Sequence, residues 1–128
     1  LWNRAEAAEA RRDARVAREW EVALPNELDA EQRLALTREF AKSLADRFGV
    51  AVDLAIHAPT GDSDIRNHHA HLLATTREVR PDGLGAKAEI EWDETRLQKA
   101  GRSGVRDQIR DVRLVWEEMA NTRLARAG

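Results

Sequence analysis

An α+β fold built on a largely antiparallel sheet, with one face covered by helices and the other carrying a three-histidine site, is what this sequence predicts. Three observations lead there. The apolar period alternates between about 3.6 and two residues along the chain, and two of the two-residue stretches follow each other across a short polar loop. All four histidines, His57, His68, His69 and His71, fall at the end of one such stretch and the start of the next.

Leu1 to about Ala17 is rich in Ala, Glu and Arg and holds neither Gly nor Pro, so its propensity is helical, although its apolar stripe is thin. It opens without a methionine and with no capping residue ahead of Leu1, which gives the expectation that these residues are part of a longer protein. From Arg18 the period becomes two. Trp20, Val22 and Leu24 fall on one side, Glu19, Glu21 and Ala23 on the other, and Pro25 ends the strand. Asp29 followed by Gln32 is a capping-box pattern; Leu34, Leu36, Phe40, Ala41, Leu44 and Phe48 then recur in helical rhythm until Gly49 stops the helix.

A strand over Val50 to Ala58 comes next, with Val50, Val52, Leu54 and Ile56 on an apolar face and Asp53 and His57 opposite. A polar loop from Thr60 to Arg66 leads to a strand that starts near His69 and is expected to reach about Val79. Arg80-Pro81-Asp82-Gly83-Leu84-Gly85 is turn chemistry. After it, Ala88, Ile90 and Trp92 alternate with Lys87, Glu89 and Glu91 as a candidate fourth strand. Val105, Ile109, Val112, Trp116 and Met119 mark a closing helix from near Ser103, expected to cover the apolar sheet face.

The chain of 128 residues suits one compact domain with a real core. Its 42% hydrophobic content argues against disorder. Cysteine is absent, which excludes disulfides and thiolate metal sites. No apolar run approaches membrane-spanning length and no signal peptide is visible, so a cytoplasmic protein is the default. The net charge of −2 does not advertise nucleic-acid binding, so any anion-binding surface must be local. Arg66, Arg77, Arg80 and Lys87 bracket the histidines and are candidates for phosphate contact; the segment from Arg96 onward is also basic, but such helices commonly present just a solvated face.

Strand parity sorts the histidines. His69 and His71 leave the backbone on the same side, the side expected to carry Leu73, Thr75 and Arg77, while Ala70, Leu72 and Ala74 line the other. If the two strands are neighbours, His57 joins His69 and His71, and His68 points elsewhere. Three imidazoles on a rigid sheet form a metal site with positions left open for substrate. The competing reading is a polar sheet face with no ligand. Glu19 and Glu21 are likewise either a solvated edge or neighbours of the histidines.

Trp2-Asn3-Arg4-Ala5-Glu6, Arg18-Glu19-Trp20-Glu21-Val22-Ala23-Leu24-Pro25, His57, Asn67-His68-His69-Ala70-His71-Leu72 and Thr75-Thr76-Arg77 together resemble the MobA/MobL conjugative relaxases, including the TraA-type transfer proteins. The resemblance covers most of the chain, and its specific part is the His-hydrophobic-His element. It implies a nickase acting on single-stranded DNA at a plasmid origin of transfer, with accessory transfer proteins and secretion machinery as partners. His57, His69 and His71 would hold a divalent cation (Mg, Mn or Zn) against the scissile phosphate. Glu19 and Glu21 correspond to an acidic stretch near the family's active site, where they would orient a histidine or handle a proton, and Asp53 is a further orienting candidate.

Two departures stand out. Asn67-His68 replaces a common Asn-Pro, and the chain holds no tyrosine, the residue that attacks the phosphate in such enzymes. The resemblance therefore implies that residues 1–128 are one relaxase-like domain fragment lacking a first strand and its nucleophile. Two other classes stay open: a three-histidine metal-dependent hydrolase or oxygenase, and a non-catalytic interaction module. No His-Glu-x-x-His motif supports a metalloprotease.

Overall fold

The strand from His69 to Thr75 (β3) is the middle of a three-stranded antiparallel sheet, flanked by Ala17–Ala23 (β1) and Val52–His57 (β2). The computed structural model describes residues 1–9, 16–57 and 68–127. Pairing runs Ala17↔Thr75 through Ala23↔His69 on one side and Val52↔Ala74 through His57↔His69 on the other. Because both registers keep parity, even-numbered residues of all three strands share one face. Ala70 and Leu72 are wholly buried there, and Trp20, Val22, Val52, Leu54 and Ile56 pack beside them.

Two helices cover that face. Ala30–Phe48 (α2) begins at the expected capping box: the Gln32 N–H donates to Asp29 Oδ1 at 2.8 Å and the Asp29 N–H to Gln32 Oε1 at 2.9 Å. It ends at Gly49, whose φ of 68° is the left-handed cap that glycine adopts without strain. Phe40, Ala41, Leu44 and Phe48 of α2 share one core cluster with Val112 of the closing helix, Val105–Ala127, and Phe40 meets Trp116 edge-on at 5.2 Å. The expected helical layer over an apolar sheet face is therefore present.

The sequence reading differs from the structure in four places. At the N-terminus, a helix (α1) covers Trp2–Ala7, Ala17 is already in β1, and 10–15 lie outside the described residues, as do the expected loop from Thr60 to Arg66 and Ala58. The strand expected to continue to Val79 breaks at Thr76. Thr75, expected on the open face, is 1% exposed; its hydroxyl accepts from the Ala51 N–H at 3.1 Å and donates to the Arg77 carbonyl at 2.8 Å. Arg77–Arg80 (β4) and Gly83–Lys87 (β5) then pair as a separate hairpin around the predicted turn, which takes Arg77 off the histidine face.

The candidate fourth strand over 87–92 is instead the end of β5 followed by a 3-10 turn, Glu89–Glu91, with its N-cap Ala88 and its central Ile90 buried. A single turn can bury two residues two apart as a strand does, so the alternation is genuine but belongs to a turn. A short helix over Glu94–Lys99 (α3) was not anticipated; it is capped by Asp93 and buries Leu97 alone, too little periodicity to detect. The closing helix, α4 hereafter, starts within two residues of the expected position.

Leu72, wholly buried at the centre of β3, should be the most sensitive apolar position on the sheet. Leu72→Ala is expected to lower the unfolding free energy by roughly 2–5 kcal/mol in urea titrations, and a loss below about 1 kcal/mol would contradict its place in the core.

Candidate metal centre

The odd-numbered face of the sheet carries the histidines. His71 lies directly opposite Glu21 on β1 and Ala55 on β2, and His69 opposite Ala23 and His57. Two of the four cross-strand partners are alanines, whose small side chains leave room for imidazole rings to lean together. The His57 and His69 rings stack at 5.3 Å, His57 meets His71 at 4.6 Å and His69 meets His71 at 5.2 Å. The three rings thus stand together on one side of the sheet. His68 sits just ahead of β3, where its carbonyl accepts the Leu24 N–H at 2.9 Å, and it has no ring contact with the three.

Glu19 reaches His71 Nδ1 at 2.5 Å. An ionised carboxylate only accepts, so Nδ1 carries the proton and Nε2 keeps its lone pair for a cation. Among the described residues Asp53, across Leu73 from Glu19, makes no such contact and is exposed. Glu21, His69 and His71 form the one group of described residues whose ligand atoms all lie within 4.8 Å of one another. Cation bonds of about 2.0–2.1 Å permit at most about 4.2 Å between ligand atoms, so this group needs at most a few tenths of an ångström of closure to bind. Two imidazoles and an exposed carboxylate can do so by side-chain rotation, and His57 stands in ring contact as a further donor. The sequence placed Glu21 behind the histidines; its direct register with His71 is the signal that brings it forward.

The candidate phosphate contacts divide differently. Arg77 Nε and Lys87 Nζ each bond to Glu9, at 2.8 Å, and the Glu9 side chain is 6% exposed. Arg77 also donates to the Gly85 carbonyl at 3.2 Å. These two cations therefore clip the segment after α1 onto the β4–β5 hairpin. The exposed Arg80 pairs with the half-buried Glu78 at 3.0 Å, and Arg66 lies outside the described residues. Nothing in the periodicity points to Glu9, which sits 68 residues from Arg77. Burial pushes the Glu9 carboxyl up, but the hydrogen bonds and charges of Arg77 and Lys87 outweigh it and hold the group below its ordinary 4.5.

A model of the MobA/MobL family matches residues 1–128. The chain belongs to the MobA/MobL family. It is 38% identical to mobilization protein MobL of Acidithiobacillus ferridurans, covering 100% of this chain and 39% of that protein. It is 37% identical to conjugal transfer protein TraA of Agrobacterium fabrum, over 100% of this chain and 12% of the relative, and 32% identical to mobilization protein A of Escherichia coli, over 99% and 18%. The chain thus spans well under half the length of these MobA/MobL relatives. A solved structure described as "Molecular Basis of Vancomycin Resistance Transfer in Staphylococcus aureus" superimposes with a TM-score of 0.74 at 32% identity, covering all of this chain and 61% of that one. Among the described residues no helix is long and apolar enough to cross a membrane.

Because the folded-state acidity of Glu9 is depressed, its contribution to stability is present above the unfolded value near 4.5 and is lost as pH falls through the lower folded value. Glu9→Gln should lower the melting temperature at pH 7 and flatten its decline below about pH 4.5. Parallel wild-type and variant melting curves over that range would show the Glu9 clip to be energetically idle.

Proposed function

We propose that this MobA/MobL chain is part of a metal-dependent relaxase domain that nicks single-stranded DNA at a plasmid origin of transfer by phosphodiester transesterification, working in the cytoplasm with accessory transfer proteins and a secretion apparatus. The observation that carries the proposal is the convergence of His57, His69 and His71 with Glu21 on an open sheet face. The donor set, imidazole nitrogen with carboxylate oxygen, suits a divalent cation such as Mn or Zn, and Mg less well. His57, His69, His71 and Glu21 would hold such a cation, which would supply Lewis-acid polarisation of a non-bridging phosphate oxygen.

The chain's own residues supply the rest. His69 and His71 present ring nitrogens from one rigid strand, with His57 closing the cluster from β2. Glu19 keeps the His71 proton on Nδ1, and Glu21 brings a negative charge that strengthens cation binding. The face is open, as an extended polynucleotide backbone requires, and the alanines at 23 and 55 keep it low beside the rings. Residues 1–128 contain no tyrosine, so the part proposed for them is to hold and activate the phosphate, not to attack it.

Alanine replacement of each histidine with manganese titration tests the reading. His69→Ala and His71→Ala should abolish measurable binding, His57→Ala and Glu21→Ala should weaken it strongly, and His68→Ala should have little effect. Glu19→Gln is expected to cost about 10–100-fold in metal affinity, as outer carboxylates on ligating histidines do. Equal losses at all four histidines would defeat the site. Fluorescence anisotropy supplies the second arm: single strands should bind better than blunt duplex and release steeply with salt. A metal site with no affinity for single strands would instead favour the metal-dependent hydrolase or oxygenase class.

A further inference from the structure

Helix α4 carries a feature that the metal centre does not use. Arg106, Arg110 and Arg113 recur at spacings of four and three residues, so they form one exposed stripe along the helix. Several arginines outside the stripe are matched: Arg18 with Glu91, Arg47 with Asp111, Arg77 with Glu9, Arg102 with Glu89 and Arg123 with Glu39. Among the described residues no carboxylate pairs with the three in the stripe. Asp107 and Asp111 lie a step further round the helix, Asp111 turned to Arg47, and Glu117 follows Arg113 by one turn and closes the run. Like charges at this spacing disfavour the helix that carries them.

The stripe lines a groove with Val105, Ile109 and Glu94, and the Glu94 carboxylate is occupied by the Val105 N–H at 2.8 Å. Past Ile109 and Arg113 the groove continues into a second hollow, walled by Trp20, Trp116, Arg18 and Glu19. Glu19 is the carboxylate bonded to His71. The two hollows share Ile109 and Arg113, and the second reaches Glu19 and Glu21 of β1, an edge strand among the described residues.

We infer that this groove is the track of the single strand flanking the scissile phosphate, an inference that rests on the nicking function proposed above. Guanidinium groups suit phosphate oxygens better than any other side chain, and the stripe rises about 10 Å along the helix, room for roughly three phosphates of one strand. Trp20 and Trp116, both half-buried, offer aromatic surface against which bases stack without sequence preference. Positive charge beyond the groove's acidic end draws the polyanion outward from the site, while Glu19 stays engaged with His71.

The test compares single-stranded oligonucleotide binding by the 128-residue chain, by R106A/R110A/R113A and by R4A/R38A/R126A, which removes equal charge from exposed positions elsewhere. Circular dichroism and manganese titration establish that each variant is folded and keeps its metal centre. At about 0.1 M salt the stripe variant should bind roughly 100-fold more weakly and lose about 2 from the slope of log affinity against log salt, since each single-strand phosphate contact contributes about 0.7. The control variant should change far less, and oligonucleotide should quench tryptophan fluorescence. Equal losses in both variants would replace the track with general charge attraction. An unchanged stripe variant beside a weakened His69→Ala would overturn the track and leave the nicking reading intact. Self-association through the groove without DNA would assign it to a second copy, and failure of wild type to bind single strands would remove both proposals.

Discussion

The whole arrangement depends on β3 being held in one antiparallel register on both sides. Leu72 and its neighbours Ala70 and Ala74 can be buried only if the even-numbered face turns toward α2 and α4. A slip of one residue on β3 would send its entire apolar set to solvent and carry His69 and His71 into the core, where unpaired polar rings are costly. Core packing and site geometry are thus the same constraint seen from two faces. The hydrophobic burial that fixes the sheet also fixes which side chains converge above it.

Charge is distributed in keeping with that division. The site face draws its acids from β1, where Glu19 and Glu21 flank the half-buried Trp20 and approach His71 from the neighbouring strand. Two cations that follow the histidines in sequence, Arg77 and Lys87, instead neutralise a nearly buried carboxylate and tie the segment after α1 to the β4–β5 hairpin. A polyanion approaching this face would therefore meet imidazoles and carboxylates first. Its phosphates need positive partners that are not already committed, and α4 carries such groups.

Much of this was legible in the amino-acid order because it rests on local rules. Parity places His57, His69 and His71 together, and the Asp29/Gln32 box with Gly49 brackets α2 at both ends. What escaped depends on tertiary detail. The break at Thr76 arises from hydroxyl bonds between Thr75 and the backbone of Ala51 and Arg77, which no periodicity encodes. The turn over Glu89–Glu91 buries alternate residues as a strand would, so composition alone could not separate them. Arg77 and Lys87 read as phosphate contacts because Glu9, their partner, is remote in sequence. Between Asp53 and Glu19 as orienting carboxylates the pattern offers no choice, and both lie opposite Leu73; the hydrogen bond from Glu19 to His71 decides it.

The central claim is that strand parity builds one cation site, and a crystal grown with manganese tests it most directly through anomalous scattering. The account predicts a single strong peak bonded to His71 through Nε2 and to His69, with Glu21, His57 or both completing the protein ligands. A peak on His68, a bond to His71 through Nδ1, or no ordered manganese on the histidine face would contradict it.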